Sequence, residues 1–181
     1  LFASLFDPTV AGFFFVANRV LNAPLSIVGN AIGKQFFAEA PEALRNGSLH
    51  RKTIRTILIL FLIIIFPALL NLFFAKELFA FFLGNEWSLA GEMSQLLTPL
   101  IIAQFVTSPV GQLLAVKERL ALNMVLQGIL TILIITSFVI GYFYLGALST
   151  VGLYSILSST GYILFIYFSI KVIPFNNHKI Y

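Results

Sequence analysis

Residues 57–66 read Ile-Leu-Ile-Leu-Phe-Leu-Ile-Ile-Ile-Phe, an unbroken apolar run inside the longer apolar segment 53–74. A strand of a lipid-facing barrel would alternate in hydrophobicity over about ten residues, and this run does not alternate. A helix needs roughly 20 apolar residues to cross about 30 Å of hydrocarbon, and segment 53–74 has that length. The stretch therefore predicts a membrane-spanning α-helix.

Four further segments share this length and apolar character, at about residues 10–35, 90–116, 120–142 and 147–171. Of the 181 residues, 59% are hydrophobic and 10% are charged, and the mean hydropathy is +0.98. Soluble domains have far lower apolar and far higher charged fractions. We therefore predict an all-α integral membrane protein, a polytopic bundle of five spans within residues 7–175.

The chain opens with Leu1, and residues 1–6 look like the apolar end of a preceding transmembrane helix, stopped by the turn signal Asp7-Pro8. We interpret the sequence as the C-terminal part of a longer protein, with residues 176–181 as a tail. Cysteine is absent, which excludes disulfides, thiolate metal sites and cysteine catalysis from this part.

The basic residues predict the orientation in the membrane, because cytoplasmic loops are enriched in Lys and Arg. Of the eleven Lys and Arg residues, nine flank one side of the predicted spans: Lys34, Arg45, Arg51, Lys52, Arg55, Lys117, Arg119, Lys171 and Lys179. Lys76 falls on the opposite side, and Arg19 lies within a span. We expect that side and the C-terminus to be cytoplasmic. The net charge of +4 thus reflects topology, and no nucleic-acid partner is expected.

The first span carries a charge near its middle, Arg19. An arginine at the bilayer centre costs about 2.5–3.5 kcal/mol, and Arg19 lies roughly 14 Å from the start of its predicted helix, too far to reach either surface easily. No acidic residue lies deep in any span. We expect a buried arginine that faces a carboxylate elsewhere in the protein, water in a central cavity, or the negative part of a substrate. Both a structural and a substrate-binding role are open.

Three spans also carry polar or small residues at three- and four-residue spacing, which places them on one helix face. We expect these faces to point inward, either as a cavity lining or as helix-packing surfaces. Pro24 and Pro109 are expected to kink their helices. The first stripe holds Asn18, Asn22, Ser26, Gly29 and Gly33, with Arg19 and Asn30 at its edge; the second holds Gln104, Ser108, Gly111 and Gln112; the third holds Asn123, Gln127 and Thr131.

The sequence offers little for catalysis. The two histidines, His50 and His178, fall in the predicted cytoplasmic loop and tail, and there is no HExxH motif, Walker sequence, pair of carboxylates or Ser-His-Asp set to place on facing helices. We therefore predict no catalytic residues, no metal site and no cofactor.

Three stretches carry a family resemblance. Residues 12–33 read GFFFVANRVLNAPLSIVGNAIG, residues 78–91 read LFAFFLGNEWSLAG, and residues 105–109 read FVTSP. Their glycine, arginine and proline pattern, phenylalanine-rich loop and serine-proline element resemble those of polysaccharide and lipopolysaccharide (O-antigen type) flippases in the multidrug, oligosaccharidyl-lipid and polysaccharide exporter superfamily. The chain departs from that pattern at residues 36–41, where its proline is displaced and the adjacent charge is acidic.

The resemblance implies two helical lobes around a cationic cavity in the bacterial cytoplasmic membrane, with this chain as most of the second lobe and an N-terminal lobe as its partner. It implies that Arg19 contacts the pyrophosphate or acidic sugars of a polyprenyl-linked oligosaccharide. The two lobes would rock to open the cavity to each side of the membrane in turn. Membrane lipids would surround the protein. The other implied cavity residues are Asn18, Asn22, Gln104, Gln112, Asn123 and Gln127, as hydrogen-bonding partners of sugar hydroxyls.

Two other classes are open. A cation-coupled multidrug exporter of the same superfamily would share the helix order but usually needs a membrane carboxylate for ion coupling. A membrane enzyme or its subunit, such as a polymerase of lipid-linked sugars, would carry large extramembrane loops with polar catalytic groups, and the loops here are short. The flippase is therefore the favoured prediction and the multidrug exporter the alternative.

Overall fold

The computed structural model describes residues 2–116 and 119–171, and only the backbone of residues 4, 110, 112, 113, 115 and 116. The described part contains six α-helices and a short 3₁₀ helix, Asn85–Trp87, which joins α3 to α4. The α-helices are α1 (Phe2–Leu5), α2 (Pro8–Arg45), α3 (Leu49–Leu83), α4 (Ser88–Val116), α5 (Leu120–Tyr144) and α6 (Ala147–Lys171). Lys117 and the predicted tail, residues 176–181, lie outside this description.

Five of these helices, α2 to α6, are long and apolar enough to cross a membrane. The prediction of an all-α, polytopic membrane protein is confirmed. Helices α2 and α3 both extend well past a bilayer. Helix α2, for example, has 38 residues, or about 57 Å at 1.5 Å per residue, against about 30 Å of hydrocarbon. Helix α2 continues ten residues beyond the predicted span 10–35 and ends at Arg45.

Local chemistry explains where α2 begins and ends. Asp7 caps its start: the carboxylate accepts a hydrogen bond from the backbone N–H of Thr9 at 2.8 Å, which lowers the pKa of Asp7. At the other end, Gly47 has a φ of 65°, a left-handed conformation that favours glycine. The chain then reverses into α3, and an ion pair between Glu39 and Lys52 joins the two helices beside this turn.

Helix α4 lies at the centre of the bundle and packs against α2, α3 and α6, whereas α5 packs mainly against α6. Its contact with α3 is close: a Cβ atom at Gly91 would lie 2.5 Å from the Cα atom of Lys76. One turn further, Asn71 of α3 donates from Nδ2 to the Ser94 carbonyl at 2.8 Å and to Thr98 Oγ1 at 2.9 Å. Glycine and an amide network therefore hold the centre of the bundle together.

Candidate functional site: a polar surface on α2 and α4

Two glycines of the first polar stripe lie where α2 crosses α4. Gly29 and Gly33 are buried, and a Cβ at Gly29 would contact Ser108 Oγ at 3.4 Å and the Phe105 ring at 3.5 Å. These are ordinary van der Waals distances, so the two glycines belong to the packed surface between the helices. The prediction that stripes on the first and third spans include packing surfaces is correct for this part of the stripe.

Beside the crossing, α2 and α4 form an open cavity of about 160 Å³. The structure brings together here two polar side chains that the sequence predicted as cavity-lining, Asn22 and Gln104. The full lining is Asn22, Leu25, Ser26, Gly29, Asn30, Ile101, Gln104, Phe105 and Ser108.

Several polar groups at this cavity have unused hydrogen-bonding capacity. Ser108 Oγ is buried and has no hydrogen-bond partner. The amide groups of Asn30 and Gln104, both exposed, make no hydrogen bond to another described residue. Asn22, in contrast, donates from Nδ2 to the carbonyl and Oδ1 of Asn18, at 3.0 Å and 2.8 Å. The cavity therefore presents donors and acceptors that water or a polar ligand can satisfy.

Arg19 lies on the same surface of α2 and is exposed; the expectation that it faces a carboxylate elsewhere in the protein, water in a cavity or a substrate stays a prediction. It lines a groove of about 290 Å³ together with Phe15, Asn18, Asn22, Ala23 and Ser26. Asn22 and Ser26 also line the α2–α4 cavity, so the groove and the cavity form one continuous polar surface. Among the described residues, none forms an ion pair with Arg19.

The remaining predicted residues are not brought to this surface. Asn123 and Gln127 lie on α5 and line neither the groove nor the cavity. Gln127 and Thr131 are exposed, because α5 packs on α6 through a different face, and the expectation that the α5 stripe points inward stays a prediction. The side chain of Gln112 lies outside the described residues.

Pro24 and Pro109 both lie inside continuous helices, α2 and α4, and the kinks predicted there stay predictions. Pro24 is exposed and Pro109 is buried.

The sequence interpretation missed the hydrogen-bonded cluster of Asn71, Ser94 and Thr98. Its signal was a single asparagine in the otherwise apolar stretch 57–74, opposite a serine and a threonine four residues apart on the next helix. Such a lone amide is expected to find a partner on a neighbouring helix. Within residues 2–116 and 119–171, no group of three or more histidine or acidic residues is placed to hold a metal ion.

A comparison with protein families finds one match: the model of a family described as "polysaccharide biosynthesis protein" matches residues 1–92, just over half of the chain. The chain belongs to this polysaccharide biosynthesis protein family. No curated protein and no solved structure matches it. In this polysaccharide biosynthesis protein the matched region contains α2 and therefore Arg19 and Asn22, whereas Gln104 and Ser108 of α4 lie beyond it. The family indicates a role in polysaccharide biosynthesis for this multi-pass membrane protein.

Proposed function

We propose that the protein is a flippase, which moves a polyprenyl-pyrophosphate-linked oligosaccharide across the bacterial cytoplasmic membrane during the synthesis of a cell-surface polysaccharide. The observation that supports this most is the exposed polar surface of α2, with Arg19 at one end and the α2–α4 cavity at the other. In this proposal the protein is a transporter and not an enzyme.

The energetics of Arg19 favour a hydrated cavity over lipid. An arginine at the centre of the bilayer costs about 2.5–3.5 kcal/mol when nothing compensates it. Arg19 is the twelfth residue of α2, about 17 Å from the start of the helix, and no described residue pairs with it. A surface that faces water and an anionic ligand removes this cost, and a pyrophosphate accepts the charge-assisted hydrogen bonds that a guanidinium donates.

The neutral polar groups suit the sugar part of such a ligand. Asn30, Gln104 and Ser108 offer amide and hydroxyl groups that hydrogen-bond sugar hydroxyls without a fixed charge. In the proposed mechanism this surface is one wall of a central cavity, and an N-terminal lobe of the same protein provides the other wall. Rocking of the two lobes would expose the cavity to each side of the membrane in turn.

The distribution of charge suggests the orientation. The turn between α2 and α3 is flanked by Arg45, Arg51 and Lys52, whereas Lys76, at the other end of α3, pairs with Glu92 at 2.5 Å. Because short cytoplasmic loops are enriched in Lys and Arg, we place the α2–α3 turn and the C-terminus in the cytoplasm.

The test uses the full-length gene that encodes this chain, in cells depleted of their own flippase. Wild type, Arg19→Ala and Arg19→Lys are compared for surface polysaccharide and for lipid-linked intermediate, with the membrane level of each protein measured by immunoblot. Arg51→Ala is the matched control, because Arg51 is an exposed arginine beside the α2–α3 turn, away from the polar surface.

We expect Arg19→Ala to accumulate the intermediate at a normal protein level, Arg19→Lys to restore transport in part, and Arg51→Ala to behave as wild type. If the only effect of Arg19→Ala is a lower protein level, the arginine has a structural role. If wild type does not complement and instead changes drug resistance, the protein is a multidrug exporter.

A further inference from the structure

The connection between α2 and α3 is a packed helical end of the bundle. Helix α2 continues to Arg45, ten residues past the predicted span 10–35, and packs there against the start of α3. The backbone N–H of Ser48 closes the turn by donating to the Ala43 carbonyl at 2.9 Å. The buried residues of this end form a hydrophobic cluster of Phe36, Ala40, Ala43 and Leu49. The exposed side chains around this cluster are therefore presented by a formed structure.

The exposed part of this α2 end divides into two flanks that differ in charge. One flank is acidic, and its Glu39 is engaged by Lys52 of α3 and by the amide of Gln35. The other, which we call the basic flank, holds residues at three- and four-residue spacing, which places them on one side of the helix. The basic flank consists of five exposed residues, Lys34, Phe37, Pro41, Leu44 and Arg45.

The two cations of the basic flank have no anion of this chain beside them. Among the described residues, no carboxylate lies within ion-pair distance of Lys34 or Arg45. Between these cations, Phe37 is 46% exposed and Leu44 is 37% exposed. Basic side chains combined with exposed apolar ones are typical of helices that lie in the interface of an anionic membrane.

The position of the basic flank along α2 places it at the lipid headgroups. Lys34 lies at the end of the predicted span, and Arg45 lies about 15 Å past Gln35. The headgroup region adds about 5–8 Å to the hydrocarbon on each side of the bilayer. Helical side chains tilt toward the N-terminus of their helix, which at this end of α2 is the direction of the membrane. Both cations therefore lie within about one Debye length, roughly 8 Å at physiological salt, of the headgroups.

The size of the basic flank favours lipid over a protein partner. A surface one helix wide, about 10 Å, and eleven residues or about 16 Å long offers on the order of 200 Å². A specific protein interface buries roughly 800 Å² on each partner. A phospholipid headgroup needs far less, because one or two cations are enough to contact its phosphate.

We propose that the basic flank of α2 binds the headgroups of anionic phospholipids in the adjacent leaflet, with Lys34 and Arg45 on phosphate oxygens. Arginine suits such a site, because its guanidinium donates two parallel hydrogen bonds to a phosphate. The binding does not depend on the flippase function, because it requires only that α2 crosses the membrane. It would hold this end of α2, the longest described helix, at a fixed depth in the bilayer.

The experiment measures binding of phosphatidylglycerol and of phosphatidylcholine to the purified full-length protein in mixed-lipid nanodiscs by native mass spectrometry. The test variant Lys34→Ala/Arg45→Ala removes both cations of the basic flank. The matched control Arg51→Ala/Arg55→Ala removes two exposed cations of α3 beside the same turn, so both variants lower the positive charge on that side of the membrane equally. A third variant, Lys34→Arg/Arg45→Lys, keeps the charge at both positions.

We expect the test variant to weaken phosphatidylglycerol binding, relative to phosphatidylcholine binding, about tenfold or more, because each cation near an anionic surface strengthens binding several-fold. The charge-keeping variant should bind as wild type, and the α3 control should lose clearly less than the test variant. The melting temperature of each variant checks its folding. If the alanine variant melts lower than wild type, Lys34→Gln/Arg45→Gln, with a helix-forming residue at each position, takes its place.

Two results would overturn the lipid site. An equal loss in the test variant and the α3 control would mean that lipid responds only to the total charge around the turn. Unchanged phosphatidylglycerol preference in the test variant would mean that the basic flank does not bind lipid, and if this variant instead loses a co-purifying protein, the flank is a protein interface.

Discussion

Gly91→Ala tests the close contact of α3 and α4, on which the position of the central helix depends. The added Cβ would lie 2.5 Å from Lys76 Cα, 2.7 Å from the Ala75 carbonyl oxygen and 2.9 Å from Lys76 N. All three are backbone atoms, so no side-chain rotation can relieve the overlap. Ordinary contact begins at 3.4 Å, so the two helices would have to separate by about 0.9 Å at this point.

Separating the two helices costs free energy. Overpacking of this kind typically costs about 1–3 kcal/mol, and alanine returns up to about 1 kcal/mol of helix propensity relative to glycine. With the full return from helix propensity, the net expectation is a destabilisation of up to about 2 kcal/mol. The hydrogen bonds of Asn71, one turn along the same contact, would lengthen from their present 2.7–2.9 Å and add to the loss.

The assay is the thermal stability of the full-length protein in detergent, followed by fluorescence-detected size-exclusion chromatography. Gly128→Ala is the control, because it makes the same chemical change in α5 at a position where a Cβ would meet nothing within 4 Å. We expect Gly91→Ala to lower the melting temperature and Gly128→Ala to leave it unchanged or raise it slightly. Equal melting temperatures for the two variants would refute the close α3–α4 contact.

Three further predictions follow from the same helices. Asn71→Ala should lower stability in the same assay by about 1–2 kcal/mol, because it removes three hydrogen bonds of about 0.6 kcal/mol each; a melting temperature equal to wild type would contradict this. Lys76→Ala should lower the melting temperature less than Asn71→Ala does, because its pair with Glu92 is partly exposed, and a loss as large as that of Asn71→Ala would be the contrary result. Gly161→Ala should destabilise less than Gly91→Ala, since its Cβ would meet the flexible Leu130 side chain; the reverse order of melting temperatures would argue against this packing.

The sequence was sufficient for the fold class, because continuous apolar runs of membrane-spanning length admit few alternatives to helices. It was less informative about where helices end. Apolar length marks the part of α2 within the bilayer, whereas Gln35, Glu39 and Glu42 are good helix formers that continue the helix to Arg45. The hydrophobic span and the helix therefore differ in length in this chain.

The candidate site was predictable only in part, because periodicity identifies the face of a helix but not the neighbour that it meets. The stripe on α2 divides between two roles: Gly29 packs against α4, and Arg19 is exposed. On α5 the same reasoning indicated a face that the structure leaves uncovered, at Gln127. Which stripes converge depends on helix crossings, and those are set by contacts between residues far apart in the sequence, such as Gly29 and Phe105.

The size of the polar cavity limits what these helices can do alone. At about 160 Å³ it is smaller than the roughly 300–1,000 Å³ typical of pockets for drug-sized ligands, and a pyrophosphate-linked oligosaccharide is larger than such a ligand. Its polar side chains Ser26, Asn30 and Gln104 are nonetheless exposed, which is costly in lipid. Under the proposed function both facts have one explanation: α2 and α4 form one wall of a larger hydrated cavity, in which the surface around Arg19 meets the head of the substrate.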